Sequence, residues 1–345
     1  MKKVTIQDVA KELNLSRNTV AKALNNSPSV AYETRYVVIK KAYEMGYSKL
    51  LPVILKEFKI SDRLNDTKTI VVLARRELST FWNRIIMGIS DELNKKNCSL
   101  RFNFICLEEE EELKLPSDFD NRCDGVIVLT VFKQNYIDKI VAQGVPIVFL
   151  DGPVNTIQTQ KDGDIVLFEG INSIAQITSH MIKEGARRIG FIGDITYCRT
   201  IYERYKGYSL AMSEAGLPID KEICMTGQTD RHYYIYEEIE AALDALPYMP
   251  DGIVCANDDI AKDVIAYLRD RGILIPKEVM VSGFDNKDET AFLTPSLTTA
   301  YVSNQRMGRR LVQQLMWRIE NPEMPYETIT VNTEVIFRES TIRNK

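Results

Sequence analysis

Residues 4–25 read VTIQDVAKELNLSRNTVAKALN, and the reading of the whole chain starts from them. Ile6, Val9, Ala10 and Leu13 recur at i, i+3, i+4 and i+7, the apolar stripe of an amphipathic helix, and Thr5 stands before it as an N-cap. Asn14 and Leu15 interrupt that helix. Ser16 caps a second one, with Val20, Ala23 and Leu24 on one face. A third helix fits residues 33–45, with Val37, Val38, Ala42 and Met45 inward and Gly46 as its C-terminal stop. Two short helices joined by a tight turn describe a helix-turn-helix, whose second helix enters the major groove by its N-terminal end. Arg17, Asn18 and Lys22, with Ala21 beside them, would face outward there. Arg suits the acceptors of guanine and Asn the acceptor–donor pair of adenine. Ser16, Thr19, Asn25 and Thr34 are short donors able to grip phosphate. Periodicity and charge alone leave a second reading open: a basic three-helix cap whose charges are a solvated face.

Charge separates this head from the rest. The first fifty residues hold nine Lys/Arg and four Asp/Glu, a charge of +5, which leaves −9 for the remainder of a chain whose net charge is −4. A basic head on an acidic body points to one polyanion-binding end. The 345 residues suffice for two or three domains, and 45% hydrophobic with 27% charged residues excludes disordered and fibrous classes. No apolar run is long enough to span a membrane, and the N-terminus lacks the apolar core of a signal peptide, so a cytoplasmic location is expected. The six cysteines are widely and irregularly spaced, which fits buried free thiols rather than a disulfide or zinc framework. With only His180 and His232 present, histidine-based metal or triad chemistry lacks its parts. No metal site, cofactor or catalytic residue is expected.

The quoted stretch resembles the DNA-binding head of the lactose/galactose-repressor family, whose pattern runs V-T-I-x-D-V-A-x-x-x-x-V-S-x-x-T-V-S-x-x-L-N. Thr34, Arg35, Val38, Ala42, Gly46 and Tyr47 continue the likeness. The resemblance implies base reading by Arg17, Asn18 and Lys22, within a DNA-binding set of Thr5, Ser16, Arg17, Asn18, Thr19, Lys22, Asn25, Thr34 and Tyr47. It weakens at residues 49–67. There Pro52 falls three places late and Lys56 stands where the family has the leucine of a hinge helix. Leu50, Leu51, Ile54 and Leu55 could wedge into a minor groove, or pack on the body or across a dimer.

From Thr69 onward, apolar runs alternate with amphipathic helices. Strands are expected at 69–74, 100–107, 124–130, 146–151, 188–193, 252–257 and 279–285, and helices at 81–96, 170–184 and 258–271. Continuously apolar strands in such alternation imply parallel sheets covered on both faces. The expected fold is an all-α head (1–48), an atypical linker (49–67) and an α/β body (68–345) of two doubly wound subdomains. Their boundaries are expected near 68–162 plus 296–325, and 163–295 plus 326–342. Ligands bind beyond the carboxyl ends of such strands. That edge holds Arg75, Arg76, Thr130, Asp151, Asp194, Asn257, Asp258, Asp285 and Asn286, with Phe81 and Trp82 near it. Acids and amides pair with hydroxyls while rings pack on C–H faces, the chemistry of a polyhydroxylated ligand. Each Asp or Asn could equally cap the next helix. The glutamate run 108–112 reads as a solvated face, His180 as a packed mid-helix residue and His232 as a surface-loop residue that could touch ligand.

The family likeness extends here through I-V-F-L-D, R-R-I-G-F-I-G, I-V-C-A-N-D, V-S-G-F-D-N and F-R-E-S-T, and resembles periplasmic sugar-binding proteins. It implies an effector set of Phe81, Trp82, Asp151, Phe168, Arg204, Asn257 and Asp285. Phe168-Glu169 replaces the Asp-Asn of many members. The implied function is a ligand-responsive repressor: a homodimer on a near-palindromic operator in double-stranded DNA, released or recruited by a small molecule, most readily a carbohydrate. The competing classes are a solute-binding protein without sequence-specific DNA reading, and an enzyme. The absence of G-x-G-x-x-G, P-loop and G-x-S-x-G motifs speaks against the last.

Overall fold

The computed structural model describes residues 4–47, 67–75, 80–120, 123–154 and 162–343. The chain divides into two compact units, Met1–Thr67 and Lys68–Lys345. Apart from Thr67, the expected linker, with the candidate wedge residues Leu50, Leu51, Ile54 and Leu55, lies outside the described residues, as does Arg76.

The head is three helices, α1 (Ile6–Glu12), α2 (Arg17–Leu24) and α3 (Tyr32–Glu44). Thr5 opens α1 with a reciprocal capping box: its Oγ1 accepts from the Asp8 amide, and Asp8 accepts from the Thr5 amide. Asn14 takes the left-handed backbone (φ 57°) that turns the chain into the cap of α2. Val9, Ala10, Val20, Ala23, Val38, Ile39 and Ala42 form the core. Val37, expected inward, is 48% exposed, and Ile39 is buried instead. At 100° per residue Val37 lies about 150° from the centre of the stripe through Val38, Ile39 and Ala42, on the outward face.

The body holds two parallel sheets. The first runs in the order β10-β5-β4-β3-β1-β2, from β1 (Thr69–Arg75), β2 (Ser99–Ile105), β3 (Gly125–Val128), β4 (Ile147–Leu150), β5 (Asp164–Phe168) and β10 (Thr328–Val331). The second is β6 (Ile189–Ile192), β7 (Gly252–Cys255) and β8 (Met280–Ser282). Bridges Ser282–Thr298 and Asp285–Tyr301 attach to it the antiparallel pair β9 (Thr299–Tyr301) and β11 (Glu334–Ile336). Residues of β1, β3, β4 and β5 are almost wholly buried, as a sheet covered on both faces requires.

One face of the first sheet is covered by α4 (Thr80–Lys95) and α11 (Asn304–Glu320). These helices touch backbone to backbone at Gly88 and Gly308. A Cβ on Gly88 would lie 2.1 Å from the Gln305 carbonyl oxygen, and one on Gly308 would lie 2.0 Å from that of Ile85. The other face packs Phe132, Tyr136, Ile137 and Ile140 around α6 (Gln134–Val141), and the buried Tyr136 hydroxyl donates to the Lys114 carbonyl at 3.0 Å. The second sheet carries α7 (Ile171–Lys183), α8 (Arg199–Glu214), α9 (Tyr236–Asp244) and α10 (Asp258–Asp270).

The sheets correct the expected subdomain boundaries. β5 and β10 belong to the first sheet, although residues 163–168 and 326–331 were assigned to the second subdomain. β9 lies with the second, although 296–301 was assigned to the first. β5 ladders with β4 and β10, and a fully buried ion pair ties it to the covering helix. Arg318 on α11 and Asp164 on β5 are 2% and 0% exposed, and meet through two bonds of 2.7 and 3.0 Å. The chain therefore crosses between sheets after Phe168, before Asn304 and after Val331. Of the free cysteines, Cys98, Cys198 and Cys255 are buried, while Cys106, Cys123 and Cys224 are only partly so.

Removing one member of a buried pair leaves the other charge without compensation. Arg318→Leu is expected to cost about 3–5 kcal/mol of stability. Equilibrium urea denaturation measures this, and a loss under about 1 kcal/mol would show that the pair does not hold the sheet closed.

Candidate functional site

In the head, α2 presents its side chains from a fixed N-terminus. Ser16 Oγ accepts from the Thr19 amide at 3.0 Å and lies 2.8 Å from Thr19 Oγ1, so both hydroxyls serve the cap. Thr5 is likewise committed to Asp8. Arg17, Asn18, Lys22 and Asn25 are exposed. Among the described residues, Arg17, Asn18 and Lys22 have no ion pair or side-chain hydrogen bond. Asn18 and Lys22 share a face one turn apart, with Arg17 about 100° around from Asn18. Thr34 and Tyr47 are half-buried, and Tyr47 packs against the head core. A residue outside the expected set also bears on this surface. Arg35 donates to Asn26 Oδ1 at 2.6 Å and pins the loop that follows Asn25 to α3.

In the body, the carboxyl ends of both sheets border one cleft of about 1240 Å³. All seven expected effector residues line it: Phe81, Trp82, Asp151, Phe168, Arg204, Asn257 and Asp285. Phe81 meets Trp82 edge-on with centroids 5.0 Å apart, and Phe168 at 6.3 Å, forming an aromatic wall. Glu169 does not join it. Its carboxylate accepts from the amides of Asn172 and Ser173 and caps α7, so only Phe168 of that pair shapes the cleft.

The opposite wall is polar, and its groups divide between capping and ligand-facing roles. Asp151 (φ 68°) accepts from the Gly152 amide at 2.7 Å and from the Thr200 amide and hydroxyl, tying the end of β4 to the start of α8. Asn257 caps α10 through Oδ1 and donates its amide to the Tyr234 hydroxyl at 2.9 Å. Arg204 donates to the Ala256 carbonyl at 2.7 Å, lies over the Phe284 ring at 3.7 Å, and faces Asp285 at 3.6 Å. Asp285 is buried and its Oδ1 has no hydrogen-bond partner. Burial pushes its carboxyl up to about 6, against the pull of Arg204 and Lys287.

Of three residues singled out in the sequence, Glu110 departs from its reading, while His232 and His180 fall within theirs. His232 lines the cleft, with Nδ1 2.7 Å from the buried Asp194 carboxylate. Glu110 is not on a solvated face: it is 0% exposed, ion-paired to Arg75 at 2.7 Å, and also lines the cleft. His180 is half-buried against Phe337, centroids 4.3 Å apart. Among the described residues no group of acids, cysteines and histidines could hold a metal ion, and no helix is long and apolar enough to cross a membrane.

Comparison with known proteins agrees with both halves. Residues 5–49 match the model of the bacterial regulatory proteins of the lacI family, and residues 178–341 that of the periplasmic binding protein-like domain. The chain is 28% identical over 343 residues to the HTH-type transcriptional repressor PurR of Mannheimia succiniciproducens, spanning 97% of this chain and 98% of that one. It is also 28% identical to the protein of the same name from Pasteurella multocida over 345 residues, 97% of this chain and 98% of that one. Among solved structures, a complex of the transcriptional regulator CelR with cellobiose aligns with a TM-score of 0.70 at 23% identity, covering 98% of this chain and all of that one. The lac repressor dimer bound to operator and the anti-inducer ONPF aligns with a TM-score of 0.67 at 17% identity, covering 99% of this chain and all of that one.

The buried Asp285 carboxyl has a defined pH signature. The folded chain keeps its proton up to about pH 6, whereas the unfolded chain loses it in the ordinary carboxylate range. Folding takes up a proton in that window, so this group's contribution to stability falls as pH rises through it. Asp285→Asn is expected to remove this group's part of the dependence, gaining roughly 2 kcal/mol on wild type between about pH 4 and about pH 7, while the part due to Asp258, which burial pushes up to about 8, remains. Urea midpoints against pH measure it, and parallel curves for the two proteins would contradict the assignment.

Proposed function

We propose that the chain is a cytoplasmic repressor of the lacI family of bacterial regulatory proteins, whose hold on its operator is set by a carbohydrate bound in the body cleft. The observation that carries the DNA half is the trio Arg17, Asn18 and Lys22, exposed and unpartnered on a helix whose N-terminus is already capped. Those side chains supply the donors and the acceptor that major-groove reading uses, and the +5 charge of the first fifty residues supplies the phosphate affinity. One head spans too few base pairs to be selective, so a homodimer on a near-palindrome is the working unit.

The effector half rests on the cleft. An aromatic wall opposite Asp285, Arg204 and Asn257 suits a ring with one C–H face and several hydroxyls. The CelR structure holding cellobiose, and a lacI-family regulator of Enterococcus faecium holding ribose, favour the same ligand class for a cleft of this fold. Binding that changes the separation of the two sheets would change how the dimer offers its heads.

Selection of bound sequences from a random duplex pool, with the full-length protein, is expected to enrich a near-palindrome. No enrichment at either low or moderate salt would favour the solute-binding reading instead. Arg17→Ala is expected to weaken operator binding by ~1–3 kcal/mol and to relax preference at one base pair per half-site. Unchanged preference at every position would remove it as a base reader. Asp285→Ala is expected to abolish the response to the sugar found by screening on that operator while leaving DNA binding in place.

A further inference from the structure

His232 belongs to the stretch 228–236, where the likeness to the family pattern fails, and nothing in that pattern assigns it a role. Its setting is built. His232 and Tyr233 both take left-handed backbone, φ 55° and 64°, a conformation that costs non-glycine residues about 1 kcal/mol or more each. Glu238, in the first turn of α9, holds the loop in that shape. Its carboxylate accepts from the Thr229 hydroxyl at 2.7 Å, the Arg231 amide at 2.8 Å and the Tyr233 amide at 2.9 Å. The imidazole then stacks on Tyr197 with centroids 4.0 Å apart and planes 22° apart. Its Nδ1 meets Asp194, whose carboxylate is wholly buried and also accepts from the Thr196 amide and hydroxyl.

A carboxylate has no proton to give, so Nδ1 must donate to Asp194. In the neutral ring that leaves Nε2 as a lone-pair acceptor. The ring is about 29% exposed and lines the cleft. Asp285 Oδ1, also on the cleft wall, is a second acceptor, with Arg204 3.6 Å away but no hydrogen bond. The cations nearest this wall are already engaged: Arg204 faces Asp285, Lys287 is held by Asp259, and Arg75 by Glu110. Lys133, Arg231 and Lys262 also line the cleft, and the buried Arg204 Nε has no hydrogen-bond partner, so these lone pairs share the cleft with positive charge.

We infer that His232 is a specificity-determining residue of the effector cleft, its Nε2 accepting a hydroxyl hydrogen from a polyol. This rests on the effector reading proposed above. Asp194 is the positioning residue, since it fixes which ring nitrogen carries the proton.

Isothermal titration of the full-length protein tests this with ribose, glucose and cellobiose beside phosphorylated sugars and gluconate. At least one neutral sugar is expected to bind. His232→Phe, which keeps the stacked ring and loses Nε2, is expected to weaken that sugar about tenfold. Heteronuclear NMR of the imidazole nitrogens is expected to show the proton on Nδ1 at neutral pH, and Asp194→Asn to move it to Nε2. A neutral sugar that binds His232→Phe as tightly as wild type would overturn the inference and leave the effector cleft standing. So would a proton found on Nε2 in the wild type. Binding of none of these sugars would overturn the carbohydrate reading, and this inference with it.

Discussion

The body is held to its architecture by one guanidinium. Arg318 bonds both oxygens of Asp164 on β5 and donates to the carbonyls of Asn321, Met324 and Pro325, which lead the chain from α11 toward β10. Asp164 also accepts from Gln314 and from the Glu327 amide. One buried carboxylate thus joins an inner strand, the helix that covers it and the entry to the last strand of the sheet. Two charges out of water are costly unless their donors and acceptors are matched, and here the matching is nearly complete. The cleft depends on it, because Phe168 ends the strand that Asp164 begins.

The acidic character of the body has a local meaning at the cleft. Carboxylates gather where strands end, and most serve nearby amides: Asp151 serves α8, Glu169 serves α7, and Glu238 serves the loop before α9. Each satisfies helix-end or loop donors that would otherwise be unpaired. Asp285 is the exception, buried with one oxygen unserved. The difference between a structural acid and a ligand-facing one lies in whether backbone amides have already used its lone pairs.

Most of the head was legible from residue order, because caps and apolar spacing are local signals. Thr5, Ser16 and the stripe Val9, Ala10, Val20, Ala23 and Leu24 are where spacing places them. The exchange of Val37 for Ile39 shows the resolution of such a signal, since the two lie about 160° apart on the helix and only one of them can face the core. In the body, the strand ends located the cleft wall, and all seven effector candidates line it. Three features were not legible because they are long-range. β5 and β10 look like any apolar run, and only their ladders with β4 and with each other assign them to the first sheet. Glu110 sits within a run of glutamates, and its burial depends on Arg75, 35 positions away. His232 reaches the cleft through left-handed backbone held by Glu238, which no periodicity encodes.

The crossing pattern of the body also has a consequence for its synthesis. β5 borders β4 on one side and takes β10 on the other, and α4 receives α11 across the contact of Gly88 with Gly308. A growing chain that has emerged to residue 300 contains every strand of the first sheet but β10, and lacks α11 altogether. At that point β5 is an open edge, its aspartate has no counter-ion, and the apolar face awaiting Leu311 and Leu315 is bare. The sheet that starts first can be completed only after the one that starts second has left the ribosome. Nascent forms of this protein are therefore most in need of chaperone shelter late in elongation, in the half of the body made earliest.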